Sequence, residues 1–194
     1  MRYRDLMTEA ERIVRNPRKL APSVPAQQHL YHGTAMSHLG LIVKSNVLYQ
    51  GGYWHKPGEP HGVRCTRSLE AAKTFAFEQE FPGGILMLNW AKIAQRYKTI
   101  AHTDTQYNDV DPNQPGKAWG MDEAEEVILV AAVKPLSDYL EGVLMQPNEL
   151  QALRAGEYLK DEWTEGYAAY DGRPRYVHRR GIQALMAYPN IRTI

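Results

Sequence analysis

Residues 5 to 15 place Leu6, Ala10, Ile13 and Val14 on one side of a helical period, with charged and polar residues between them, so a short amphipathic helix is expected there. It stops at Asn16-Pro17, and Pro17, Pro22 and Pro25 then suppress any period, which predicts a linker up to residue 26. A folded domain is expected from about Gln27. It opens with a strand over 29–32, a turn at Gly33-Thr34 and a helix over 37–44 with Leu39, Ile42 and Val43 inward. A Gly-rich loop over 51–60 leads to a strand over 62–66. A helix follows from Ser68, whose hydroxyl suits an N-cap and whose first turn carries Glu70; its inner stripe reads Leu69, Ala72, Phe75 and Ala76. Pro82-Gly83-Gly84 predicts a turn, 85–88 a short apolar strand and 90–97 another helix. After a polar stretch over 101–120, residues 127–130 are apolar on both sides, the pattern of a strand at the centre of a sheet. A break at Lys134-Pro135, a helical turn over 136–140 and a last strand over 142–145 complete the domain. Beyond it come a helix capped at Asn148 with Leu150, Leu153 and Leu159 inward, then a basic tail. Short strands alternating with helices make an α+β class, divided into 1–26, 27–146 and 147–194.

Composition narrows the class without changing it. The chain has 194 residues, 43% hydrophobic and 23% charged, with a net charge of +1, which excludes a disordered, collagen-like or coiled-coil protein. Its longest apolar run, 127–133, is seven residues, far below the roughly 20 a membrane helix needs. The N-terminus has no apolar signal-like run, so a cytoplasmic location is expected. A single cysteine, Cys65, allows no internal disulfide and no multi-cysteine metal site. Charge is uneven along the chain. Residues 1–28 hold six basic and three acidic side chains, and 172–194 hold five arginines and no acid. Between 104 and 126 there are seven acids against Lys117. Such blocks are solvated surface, or else the basic ends meet a polyanion or acidic partner while the acidic segment borders a site handling a cationic group. Arg173, Arg175, Arg179 and Arg180, interleaved with Tyr176, are the candidate polyanion contacts, and docking onto the chain's own acidic segment is the rival.

Five of the seven histidines fall between His29 and His61, yet neither His-Glu-x-x-His nor Cys-x-x-Cys occurs, so no metal site is expected. A lone cysteine in a strand reads as a small buried hydrophobe. Three segments are more informative together: Leu30-Tyr31-His32-Gly33-Thr34 ending a strand, Gly62-Val63-Arg64-Cys65-Thr66-Arg67-Ser68 joining a strand to a helix, and Glu123-Ala124-Glu125-Glu126 entering an apolar strand, followed by Pro135-Leu136-Ser137-Asp138-Tyr139-Leu140. Their order and separation resemble the ADP-ribosyltransferase-fold family over roughly residues 29–146, closest to small bacterial and phage-encoded members.

That resemblance implies a split β-sheet with flanking helices that holds NAD, as substrate, between the three segments, with helical and basic terminal extensions outside it. Cleaving the bond from nicotinamide to ribose creates an oxocarbenium-like centre, and a carboxylate at a strand mouth stabilises that charge as it develops. Glu126, immediately before the apolar residues, is the expected catalytic group; Glu125 and Glu123 compete, because Glu-x-Glu spacing reads equally well as Glu123 with Glu125. His32 and the Gly33 backbone match the positions that hold the nicotinamide amide and ribose, with glycine at 33 allowing close approach of the cofactor. Thr34 adds a hydroxyl, and Thr66 and Ser68 order the pocket or do turn and cap work. One departure stands out: Arg64 occupies the place of a tyrosine that stacks on the nicotinamide. Tyr49, Tyr53 or Trp54 from the intervening loop is left to supply an aromatic face.

The implied activity is transfer of ADP-ribose from NAD to a protein or nucleic-acid acceptor by a phage- or bacterium-encoded effector, in the host cytoplasm or with virion association. Two alternatives stay open. One is a non-catalytic member acting as a virion or host-interaction protein. The other is an NAD-independent RNA-binding or 2′-phosphotransferase-like protein.

Overall fold

A computed structural model of the chain describes residues 29–51, 61–77, 82–102, 125–160, 167–168, 174–175 and 177–194, with the backbone alone at 101–102, 167–168 and 174–175. The expected N-terminal helix and linker, 1–26, lie outside these residues.

The first strand, β1 (His29–Ala35), does not turn at Gly33 as its sequence suggests. It runs on because β4 (Gly83–Asn89) pairs with it along its full length, in seven register pairs from His29 opposite Asn89 to Ala35 opposite Gly83. Gly83 and Gly84, expected in a turn, are therefore ladder residues. Helix α1 (Met36–Ser45) follows β1 directly and ends at Asn46, whose left-handed φ of 56° closes it. Next in the chain are β2 (Leu48–Tyr49), β3 (Val63–Thr66), α2 (Leu69–Phe77), β4, α3 (Trp90–Arg96) and β5 (Thr99–His102). They are followed by β6 (Glu125–Ile128), β7 (Ala132–Val133), a 3₁₀ turn at Leu136–Asp138, β8 (Leu140–Met145), α4 (Pro147–Arg154) and a second 3₁₀ turn at Glu157–Leu159. The last elements are β9 (Tyr167–Ala168), β10 (Pro174–Arg175), α5 (Arg179–Met186) and β11 (Ile191–Thr193).

Seven strands form one sheet in the order β11-β8-β4-β1-β3-β6-β5, while β2 pairs with β7 and β9 with β10 as separate ribbons. The class is α+β, with a mixed sheet: every neighbouring pair of the large sheet is antiparallel except β11 with β8. Alternation along the strands divides the core in two. Leu30, Val63, Cys65, Leu86, Leu88, Ile128, Val143 and Met145 join Met36, Leu39, Ile93, Leu150, Leu153, Ile182 and Leu185 in the larger cluster, so α1, α3, α4 and α5 cover that face. The opposite face packs Ile85, Met87 and Leu144 against Ala72 and Ala76 of α2.

Several expectations are corrected by this arrangement. Strand β6 is next to the edge strand β5 rather than central; its Val127 and Ile128 are nonetheless fully buried on opposite faces, and Leu129 and Val130 lie past its end. In α2 the buried residues are Ala71, Ala72 and Ala76, and Phe75 is 40% exposed. Small side chains are required there because α2 sits on Gly33: a Cβ at 33 would lie 2.2 Å from the Ala72 carbonyl oxygen. Helix α4 begins at Pro147 with Gln146 at its N-cap, without the expected Asn148 cap, since proline tolerates the first helical position. Finally, 142–145 is not the last strand. Ile191–Thr193 adds alongside β8, and α5 crosses α1 so closely that a Cβ at Gly40 would meet Gly181 main chain at 2.7 Å. Residues 177–193 are thus built into the same sheet and core as 29–146.

Candidate functional site

Strand β1 is zipped to β4 but barely to β3, where Tyr31 opposite Thr66 is the one register pair. Beyond β3 the ladder tightens again, with four pairs between β3 and β6. His32 and Arg64 lie at this loosely joined seam, and Glu125 and Glu126 one strand further on. His32 Nδ1 lies 2.9 Å from the Arg64 carbonyl oxygen and bridges the two strands. A carbonyl only accepts, so Nδ1 carries the hydrogen and Nε2 keeps its lone pair. Burial pushes the His32 pKa down and nearby His38 adds to this, against the opposing Arg64 hydrogen bond. A neutral ring with a bare Nε2 is a hydrogen-bond acceptor, suited to a hydroxyl.

The register sorts the adjacent carboxylates. Glu126 stands opposite Cys65 and Glu125 opposite Thr66. His32 pairs with Leu86, which shares the larger core with Cys65, so His32, Cys65 and Glu126 lie on one face of the sheet and Glu125 on the other. Glu126 is 4% exposed and Glu125 7%. Their partners differ. Arg64 Nη1 donates to both Glu125 oxygens, at 2.9 and 3.2 Å, a charge-assisted contact that keeps this carboxylate engaged on the α2 face. Glu126 has a more distant cation, Arg67 Nε at 3.8 Å. Burial raises the Glu126 pKa, while a hydrogen bond from the Thr99 hydroxyl and the Arg67 charge lower it. The Cys65 thiol is pushed well up by burial and by the charges of Glu125 and Glu126, so it is a poor thiolate and packs as a small hydrophobe.

Other expected site residues are placed differently. Gly33 faces α2, so its missing side chain admits the helix and not a ligand. Thr34 is buried on the larger core face opposite Gly84. Thr66 Oγ1 accepts from the Ser68 amide at 2.9 Å, and Ser68 Oγ accepts from the Ala71 amide at 3.2 Å; both build the turn and the α2 cap. Tyr49 is 65% exposed on the separate β2–β7 ribbon and is not brought to the seam by that pairing. Glu123, Tyr53, Trp54 and Arg173 lie outside the described residues, and of Arg175 only the β10 backbone is described. Arg179 and Arg180 are exposed in the first turn of α5, an end where the helix dipole disfavours cations. Among the described residues no group of three or more His, Cys, Asp or Glu could hold a metal ion, and no helix is long and apolar enough to cross a membrane.

Arg67 and Thr99 were not singled out from the sequence. The signal available for Arg67 was its place two residues after Cys65, and for Thr99 only the pairing of β5 with β6 brings it to Glu126. Comparison of the chain with protein-family models, with curated proteins and with solved structures finds no match.

Proposed function

We propose that this protein is an ADP-ribosyltransferase-like enzyme that moves ADP-ribose from NAD to a macromolecular acceptor. The observation carrying this reading is the shared sheet face: buried Glu126 and neutral His32 stand on the same face, on the two strands that flank β3. The two groups have complementary chemistry. His32 Nε2 accepts a hydroxyl hydrogen, as a ribose hydroxyl would offer. Glu126 supplies negative charge from a site with little water, where it acts strongly on a cationic centre that develops only in the transition state. In the reaction the ribose C1′–N bond breaks, nicotinamide leaves with the electron pair, and an acceptor oxygen or nitrogen bonds to C1′ and gives up its proton. Glu125, already engaged by Arg64, is the weaker candidate of the two described carboxylates.

The test is incubation of the purified protein with labelled NAD and a bacterial lysate, beside Glu126→Gln, with protease and nuclease digestions in parallel. Label reaching a macromolecule with the wild type is expected, and loss of the carboxylate should lower the rate by about 10² to 10³. Which digestion removes the label identifies the acceptor class. Equal labelling by wild type and variant would remove Glu126 from the chemistry.

A second reading has its own observation. Arg64 stands where the resemblance implies a stacking tyrosine and is turned to Glu125, while Tyr49 lies on another ribbon. A binding protein without turnover fits that geometry. Absence of any rise in melting temperature with millimolar NAD, together with no nicotinamide release, would favour it.

A further inference from the structure

Arg64 touches both halves of the site. Its carbonyl accepts the hydrogen bond that fixes the His32 ring, at 2.9 Å, and its guanidinium holds both oxygens of Glu125, at 2.9 and 3.2 Å. These ties reach strands that lie on opposite sides of β3. We propose that Arg64 is a positioning residue, which holds β1 and β6 in register about β3 and so sets where His32 and Glu126 stand relative to one another. This rests on the reading of His32 and Glu126 as the reacting site.

The physical reason lies in the pleat. Glu125 and Glu126 are consecutive residues of an extended strand, so fixing one side chain on the α2 face fixes the direction in which the other leaves the opposite face. The Arg64 contact adds a side-chain tie to the four main-chain register pairs that join β6 to β3. On the other side, β1 meets β3 through a single register pair, so the His32 hydrogen bond to Arg64 carries much of the alignment there. The guanidinium also compensates the charge of Glu125, which lies beside Glu126 in the chain. Lysine does not reproduce this: an ammonium is a compact, mobile charge without the planar array of donors.

The experiment uses the full chain as wild type, Arg64→Lys, Glu125→Gln and the double variant, with NAD turnover and the ring ¹⁵N signals of labelled histidine as readouts. Each single change is expected to lower kcat by about 10²-fold, the effect of roughly ångström-scale misplacement, with KM for NAD unchanged. The double variant should be no worse than the poorer single one, since both remove one tie. In the wild type the His32 ring should give the signature of a single Nδ1–H tautomer, and both single variants, which keep the residue-64 carbonyl but lose the tie between β3 and β6, should shift its ring signals. Glu125→Gln preserves side-chain shape and provides the reading if Arg64→Lys does not fold.

A raised KM with unchanged kcat would show Arg64 contacting substrate directly and overturn the positioning role. Additive losses in the double variant would overturn it as well. If the wild type turns over no NAD, the transferase reading fails while the ring signals still decide: His32 signals unchanged in Arg64→Lys and Glu125→Gln would overturn the proposal on their own.

Discussion

The two neighbours of β1 hold it in opposite ways. Toward β4 there are seven register pairs, glycines at Gly83 and Gly84 where α2 and α1 press closest, and Ile85, Leu86 and Leu88 at 0% exposure. Toward β3 there is one pair, and the alignment passes to the hydrogen bond of the His32 ring with the Arg64 carbonyl. The first seam is held by repeated main-chain bonds and apolar packing, which are insensitive to which hydrophobe sits at each position. The second depends on one particular side chain, the His32 ring, donating to a main-chain carbonyl. The buried carboxylates lie one strand further on, on β6, which four register pairs join to β3.

Three changes bear on this contrast, beginning with the largest. Leu86→Ala on the zipped side removes a fully buried side chain opposite His32 and is expected to destabilise the fold by about 2 to 5 kcal/mol, read by thermal or urea unfolding. A loss no greater than that of an exposed substitution would show that the β1–β4 seam does not carry the stability assigned to it. Gly33→Ala comes next. Its methyl would meet the Ala72 carbonyl oxygen at 2.2 Å and Phe75 Cβ at 3.0 Å, so α2 must shift, a strain of about 1 to 3 kcal/mol. At about 2 to 4 °C per kcal/mol for a chain of this size, the melting temperature should fall measurably. An unchanged value would mean that α2 is not seated on β1.

The smallest effect belongs to protons at the β3 seam, where one group changes stability by at most about 1.4 kcal/mol per pH unit. The folded state raises the Glu126 pKa, so it keeps a proton that the unfolded chain releases. That contribution is present below the ordinary glutamate pKa and is lost as pH rises through the folded value. His32 runs the other way. Its pKa is lowered, so the folded state refuses a proton that the unfolded chain accepts, and its contribution is present above the ordinary histidine pKa and lost as pH falls through the folded value. Stability measured against pH should therefore lose the alkaline-going decline in Glu126→Gln and the acid-going decline in His32→Gln. Variants that track the wild-type curve in both directions would show the seam to be as solvated as the surface.

Much of the β1–β4 side was legible in the sequence. Apolar runs marked β4 and β6, the Ser68 cap marked the start of α2, and the succession β1, α1, β3, α2, β4, α3, β6, β8, α4 followed from period changes, without the elements between and after them. The polar side was legible as a set of segments and not as a site. His32, Arg64 and the glutamate cluster could be named, but nothing local distinguishes Glu125 from Glu126, two identical residues in succession. Only the pairing of Cys65 with Glu126 and Thr66 with Glu125 assigns them to different faces. The purpose of Gly33 was also hidden, since its neighbour Ala72 belongs to a distant helix. Strand β11 carried no signal at all: Arg192 and Thr193 are exposed, Ile191 is half-buried, and the strand is held by the ladder with β8 rather than by an apolar pattern.

The sequence by itself marked β1, β3, β4, β6, β8 and helices α1 to α4, and the residue types that can do chemistry, because side-chain period, capping and glycine or proline breaks act over a few residues. The tertiary structure decided strand order, register, the face each glutamate occupies, the tautomer of His32 and the partner of Arg64. Those depend on contacts between residues far apart in the chain, and a shift of one residue in register would send every side chain of a strand to the other face.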